Sequence, residues 1–479
     1  MNFSVAEQRN AALQKLTGEL LDVLIIGGGI VGSGVARDAA MRGLKTGLVE
    51  QRDFAFGTSG RSSRLLHGGI RYLAQGRIGL VREASLEKRI LHQIAPHLAQ
   101  PLAFIFPTYP GTDWPLWQLR IGVKIYDLLC GGQNLGKSSS LSKEQTLTAI
   151  PQLNPNGLAG AVRYFDGLTN DVRLVLDTLR SAAAHEATLV NYCQFQNAVR
   201  EGNAWRCEVV DVATGRRLEI RTRVVVNASG PWSARLSHSR VRLRLTKGIH
   251  LVFRRDRLPS QDAIVLTEKK RILFVIPWGE RLILGTTDTD YSGSLDDVRP
   301  ETQDVDYLLR VANESFPGAS LARPDIISSW AGLRPLLAGG TGAASEISRA
   351  HEIKSPEPGW WDVAGGKLTT YRLMAEQTVD RFVQAAGLSA ASCRTAVEPL
   401  LDKADAFSGI LPPEFGREAV AHYCGQEWAM HLDDVMIRRT GWQRYHADAA
   451  EKAHQVADWM AEILGWTTAE RDAELKRTR

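Results

Sequence analysis

The sequence predicts an α/β protein built of a nucleotide-binding domain, a mostly antiparallel domain inserted into it, and a helical C-terminal domain. Three observations predict this fold class: a strand, glycine turn, helix and strand signature at 22–53, alternating strands from about residue 237, and helical periodicity without glycine-rich turns from about Val397. At 479 residues the chain exceeds what one hydrophobic core usually organises, so two or three domains are expected.

The first element is "DVLIIGGGIVGSGVARDAAMRGLKTGLVEQRD", residues 22 to 53. Asp22 to Ile26 reads as a short buried strand, and Gly27, Gly29 and Gly32 follow in GxGxxG spacing. The first glycine permits the turn, the second lets backbone approach a pyrophosphate, and the third lets the helix press on the strand. Ile30 opens the helix, whose unpaired N–H groups and partial positive charge face the phosphates. Glu50 ends the second strand, about twenty residues on, where a carboxylate accepts hydrogen bonds from ribose hydroxyls. The unit is Rossmann-like, and its fingerprint alone does not separate FAD from NAD. FAD is favoured because no second fingerprint follows, and because the next segment, "SSRLLHGGIRYL" at 62–73, is a polar run and not another strand and helix.

Further along, a helix is expected from Asp171 to Ala184, and several strands follow, punctuated by Gly202, Gly215 and Gly230. The run Arg223 to Asn227, followed by Ala228, Ser229 and Gly230, suggests a parallel strand returning beside the nucleotide and ending in a close backbone approach. The alternative is a hairpin with an edge loop. From about 237, "VRLRLTKGIHLVFR", "DAIVLTE" and "RILFVIPWGERLILGTTDTD" alternate as an antiparallel sheet does. "WWDVAGGKLTTYRLMAEQTVDRFVQAAG" then returns to strand, glycine pair (Gly365, Gly366) and a helix beginning near Lys367, a second anion or cofactor cradle. The boundaries drawn are 1–21 for an N-terminal extension without assigned role, 22–236 with 351–394 for the Rossmann-like FAD-binding domain, 237–350 for the substrate domain, and 395–479 for the helical domain.

Composition narrows the function classes. Lys and Arg number 58 against 53 Asp and Glu, a net charge of +5 with no long basic run, which argues against nucleic-acid binding. Cys130, Cys193, Cys207, Cys393 and Cys424 form no CxxC pair, so neither a metal site nor a disulfide framework is expected, and a reducing compartment fits. Glu7, Arg9, Lys15 and Glu19 interrupt the N-terminal apolar positions, unlike a signal peptide. No segment reaches the roughly 18 apolar residues of a spanning helix. In "WPLWQLRIGVKIYDLL", Trp117, Ile121, Ile125 and Leu128 lie at helical spacing opposite Arg120, Lys124 and Asp127. This amphipathic helix suits either a membrane surface or packing on its own domain, and the second is the commoner use.

The strings "IIGGGIVGSGVARDAAMRGL", "TSGRSSRLLHGGIRYL", "VNASGPW", "TKGIHLVF", "FVIPW", "LGTTDTDY", "WAGLRPLL", "GGKLTTYR" and "EWAMHLDDVMIRRTGW" run in order along nearly the whole chain. In these motifs the sequence resembles the FAD-dependent glycerol-3-phosphate dehydrogenases and the related oxidases. The resemblance implies oxidation of sn-glycerol 3-phosphate to dihydroxyacetone phosphate, with hydride passing from C2 to flavin N5 and electrons passing to a quinone. It implies that Thr58, Ser59, Ser63, Arg64 and Leu66 wrap the FAD together with Gly230, Gly366, Lys367 and Leu368, that His67 lies beside the flavin, and that Arg71 and Tyr72 face the substrate. Arg334 and Arg349 complete its cationic set. A phosphate monoester needs such donors, because guanidinium groups grip its oxygens in bidentate fashion. His67 and His250 are the two candidate proton acceptors. The resemblance further implies a cytoplasmic protein attached peripherally to the inner face of the membrane, and it leaves a dimer open. Departures are Gly60 with Arg61, and Val31, at positions where family members commonly carry other residues; Arg61 adds a charge near the flavin. The alternatives are a flavoenzyme acting on another small anionic hydroxy or amino acid with oxygen or another acceptor, and a flavin-binding subunit without turnover.

Overall fold

The computed structural model describes residues 5–73, 75–132, 134–268, 271–338, 350–402 and 409–477, with Arg71 described by its backbone only. Arg349 therefore lies outside the described residues.

Among the described residues, Leu20–Ile26 is the central strand of an eight-stranded sheet. It pairs in parallel with Thr46–Val49 on one side and Arg217–Asn227 on the other. Burial on both faces explains the continuous apolar runs VLII (23–26) and VVV (224–226), since a parallel strand covered by helices has no solvent face. The returning strand is thus parallel, and its end approaches the glycine turn closely: a Cβ on Gly27 would lie 2.7 Å from the Ala228 carbonyl oxygen. The helix Asp171–Ala184 spans the residues expected of it, with the Asn170 side chain accepting from the Arg173 amide at its N-terminus.

The N-terminal extension is part of this domain, which corrects the boundary at 21. Val5–Gly18 is a helix that buries Leu13 and Leu16 against the sheet. Full burial of such a leucine contributes about 1.5–3 kcal/mol. Gly47 makes the room, because a Cβ there would lie 2.7 Å from Leu16.

Among the described residues the second sheet has ten strands and is antiparallel apart from the pairing of Ala263–Glu268 with Gln100–Thr108. Its longest pairing, Leu243–Arg254 with Ser328–Leu337, lies at one edge of the sheet. Four of its strands, Leu65–Leu66, Gln100–Thr108, Ser139–Leu141 and Gly160–Leu168, come from within 22–236. The second sheet is therefore woven from both sequence segments and is not confined to 237–350. The physical reason is edge protection: a strand pair buried on both faces satisfies its backbone by joining a sheet already in place, whatever its position in the chain.

The C-terminal region is helical, with Arg417–Gln426, Ala449–Leu464 and Thr468–Arg477 around a core of Val420, Tyr423, Met436, Trp442 and Met460. It docks through buried ion pairs. Arg439 donates to both Asp53 oxygens at 2.6 and 2.8 Å, Arg438 reaches the same carboxylate, and Arg173 grips Glu427. Burial alone would raise the Asp53 pKa, but the two guanidiniums outweigh it and hold the carboxyl well below the usual carboxylate range.

Candidate active site

A cavity of about 530 Å³ lies between the two sheets. At one end are Gly27, Gly29, Ile30 and Glu50; at the other are His67, His250, Arg334 and Lys367. Thr58, Ser59, Ser63, Gly230, Gly366 and Leu368 line the walls between them.

The nucleotide end is made of backbone. Gly29 precedes the helix Ile30–Met41, whose N-terminus opens on the cavity. Gly32 is not in the lining; a Cβ there would sit 1.9 Å from the Gly27 carbonyl oxygen, so its bare Cα lets helix and strand touch. Glu50 accepts from the Gly28 amide at 2.7 Å and the Arg52 amide at 2.9 Å. Burial nevertheless pushes its carboxyl pKa up.

Residues 57–64 cross the cavity, and nearly every residue is tied to a different element. The Thr58 hydroxyl donates to Leu333 O (2.7 Å), and Ser59 Oγ accepts from the Ile30 amide (2.9 Å). Gly60 O accepts from Arg444 of the helical domain (2.8 Å), and the Ser62 amide donates to Asp171 (2.9 Å). Ser63 Oγ bonds His250 Nε2 at 2.8 Å. A strandless loop needs such partners for its polar groups, and here they come from two helices of the first domain, two strands of the second sheet and the helical domain. Beyond it, the Gly365 and Gly366 turn, both with positive φ, brings Lys367 to the cavity, and its ammonium lies 4.2 Å from the Tyr72 ring centroid.

His250 is buried, stacked on Trp330 with ring centroids 5.0 Å apart. Burial first, then Arg334, Arg444 and Arg64, push its pKa well below the ordinary histidine value, so the ring is neutral at physiological pH. Arg334 donates to Thr287 O, Asp288 and Thr286 Oγ1 at 3.0–3.2 Å, which fixes its guanidinium over Gly248. A Cβ on Gly248 would overlap it at 2.5 Å.

Three expected residues are placed otherwise. Arg64 turns into the protein, its guanidinium 4.1 Å from the Trp278 ring centroid; Leu66 is fully buried in the core; Tyr72 is buried, its ring packed beneath Gly69. None of the three lines the cavity; each packs behind residues of the same segment, Ser63, Leu65 and His67, that do. Arg61 lines the cavity and lies 4.9 Å from the Phe56 ring centroid; burial, with Arg438 and Arg52 nearby, lowers its pKa to about 10, so it stays charged. The sequence reading missed Arg235, Phe274 and Thr369, which also line the cavity. Arg235 falls beside the motif VNASGPW; Phe274 opens FVIPW and Thr369 lies inside GGKLTTYR, and neither carried a distinguishing signal of its own.

This geometry fits a dinucleotide with a reactive ring system. The glycine turn leaves no room for side chains, a carboxylate stands at the end of the second strand, and the cavity continues to a cationic wall. The fold and cavity define a dinucleotide-dependent oxidoreductase. Residues 22–381 match the family described as FAD dependent oxidoreductase, and 410–471 match the C-terminal domain of alpha-glycerophosphate oxidase. A glycerol-3-phosphate dehydrogenase of Mycobacterium leprae is 36% identical, covering 98% of this chain and 89% of that protein. An aerobic glycerol-3-phosphate dehydrogenase of Staphylococcus epidermidis is 38% identical over 78% of this chain and 70% of its own. The solved glycerol-3-phosphate dehydrogenase of Bacillus halodurans, complexed with FAD, superposes with a TM-score of 0.79 at 29% identity, covering 99% of this chain and 96% of that one. The chain belongs to the FAD-dependent oxidoreductase family, in its glycerol-3-phosphate dehydrogenase branch.

Proposed function

We propose that the protein oxidises sn-glycerol 3-phosphate at C2 to dihydroxyacetone phosphate and passes the electrons to a membrane quinone. The observation that carries this reading is that one continuous cavity joins the nucleotide cradle to His67, Arg334 and Lys367. FAD, when bound, supplies the hydride acceptor. Glu50 would hold its ribose and the helix Ile30–Met41 its pyrophosphate, with Thr58, Ser59, Ser63, Gly230, Gly366, Lys367 and Leu368 along the remainder.

Arg334, oriented by Asp288 and Thr286, is assigned to the substrate phosphate, with Arg71 and Arg349 as further cationic ligands. Lys367 stabilises negative charge developing on the C2 oxygen. His67 is the proton acceptor. His250 is the weaker candidate, because its depressed basicity and its bond to Ser63 suit holding the loop.

Membrane attachment has support in the helix Leu116–Leu129. Leu119, Val123 and Tyr126 face inward, while Trp117 is 65% and Leu128 73% exposed, with Ile121 and Ile125 also exposed. The stripe is therefore not packed on its own domain, contrary to the commoner use of such a helix. Its flanking Arg120 and Lys124 suit an anionic lipid surface. No helix among the described residues is long and apolar enough to cross a membrane.

The test is anaerobic mixing of FAD-loaded protein with glycerol 3-phosphate while the flavin band is followed. Rapid bleaching is expected. A spectrum that stays yellow overturns the substrate assignment and turns the search to other small anionic alcohols or amines.

A further inference from the structure

The segment carrying His67 is gripped from behind as well as from the cavity. Antiparallel pairing with Gly160–Leu168 ends at Leu66, opposite Gly167. Past that point the backbone leaves the strand, and its next amides bond side chains: His67 N donates to Thr369 Oγ1 at 3.1 Å, and Gly68 N to Tyr126 Oη at 2.7 Å. Tyr126 is fully buried on the inner side of Leu116–Leu129.

The phenol belongs to a buried cluster. Its hydroxyl donates to Asp166 Oδ1, and Lys88 Nζ donates to the same oxygen at 2.8 Å, to Asn134 Oδ1 at 2.9 Å and to Phe165 O at 3.1 Å. Lys88 and Asp166 are 1% and 3% exposed, and neither they nor Tyr126 line the cofactor cavity. The direction of each bond is determined. Asp166 Oδ1 accepts from both the Lys88 ammonium and the phenol, so the one phenolic proton points to Asp166, and the Tyr126 oxygen is left to accept from Gly68. Burial, followed by Asp166, raises the Tyr126 pKa far above the ordinary tyrosine value, so the proton stays in place. Gly68 is pressed onto the cluster: a Cβ would lie 2.5 Å from both Ser85 Oγ and Tyr126 Oη.

A buried ion pair stabilises little relative to apolar packing of the same shape, so its value here is the register it imposes. We propose that Tyr126, fixed by Asp166 and Lys88, is a positioning residue that sets the His67–Tyr72 backbone at the height the reaction requires. The proposal rests on the functional reading above, in which His67 takes the substrate proton.

The test uses full-length FAD-loaded protein and Tyr126→Phe, which removes only the hydroxyl and leaves Lys88 paired with Asp166. Gly68→Ala displaces the same amide from the other side and gives a second route. Hydrogen–deuterium exchange across residues 65–73 is expected to quicken by roughly tenfold, while the Leu20–Ile26 strand is unchanged. The limiting rate of flavin bleaching is expected to fall about tenfold or more, with the half-saturating glycerol 3-phosphate concentration moving less than about threefold, as for misplacement of a reacting group and not loss of binding. Unchanged exchange at 65–73 in both variants overturns the proposal, as does quickened exchange with an unchanged bleaching rate. If wild-type flavin is not bleached by glycerol 3-phosphate, the substrate assignment fails separately, and the exchange measurement still decides whether Tyr126 holds the loop.

Discussion

The two ends of the cavity are built by different means. The nucleotide end is local in sequence: strand, glycine turn, helix and Glu50 all fall within 20–50, and its surface is backbone shaped by absent side chains. The opposite end is assembled from distant segments. His67 comes from a loop, His250 and Arg334 from neighbouring strands, and Lys367 from a turn entering the first domain again, with Arg444 of the helical domain beneath. A backbone cradle tolerates no added atoms, whereas a charged wall tolerates substitution sterically and fails through lost interaction. The first should therefore break as folding and cofactor binding, and the second as affinity and pH dependence.

The largest effect is expected from Gly32→Val. A Cβ at this position would lie 1.9 Å from the Gly27 carbonyl oxygen, so helix and strand must separate. A loss of about 3 kcal/mol or more in urea denaturation, with little FAD retained on purification, is the expected result. A variant that keeps its flavin would erase the contrast between the two ends. Arg334→Ala comes next: FAD content should be unchanged, while the half-saturating glycerol 3-phosphate concentration rises by about 10–100-fold, from loss of a charged hydrogen bond of ~1.5–3 kcal/mol. Cofactor loss in that variant would show that the wall also builds the cradle.

His250 tests the electrostatics of the wall. Its folded-state pKa is depressed, so below about 6.5 the unfolded chain takes up a proton that the folded protein refuses. Stability should then fall as pH falls, by at most ~1.4 kcal/mol per unit, and His250→Asn should flatten that slope below about pH 6.5. An unaltered slope in the variant would mean that other groups govern the acid limb. The smallest effect belongs outside both ends. Trp117→Ser with Leu128→Ser should leave stability within about 0.5 kcal/mol and bleaching by glycerol 3-phosphate within about twofold, while sedimentation with anionic liposomes drops. Retained sedimentation would remove the exposed stripe from the membrane reading.

Much of this was readable from the residues in order. The glycine fingerprint, Glu50, the parallel return at Arg223 to Asn227 and the helix Asp171–Ala184 are short-range patterns, in which local sterics and periodicity dictate the conformation. Side-chain direction was less accessible. Arg64, Leu66 and Tyr72 lie in a motif that touches the site, yet their side chains point away, because a loop without regular pairing has no period from which to read its faces. The stripe of Leu116–Leu129 shows the same limit: spacing identifies an amphipathic helix, but which face is covered depends on what the rest of the chain packs against it.

The identity of the cofactor cradle thus follows from consecutive residues, since a tight glycine turn between strand and helix is a property of the backbone itself. The membership of the second sheet, the docking of the helical domain on Asp53 and Arg173, and the clamp of Gly68 by Tyr126 depend on pairings across tens to hundreds of residues. Those pairings are selected by burial and by partners for buried polar groups, which exist only once the chain has closed on itself.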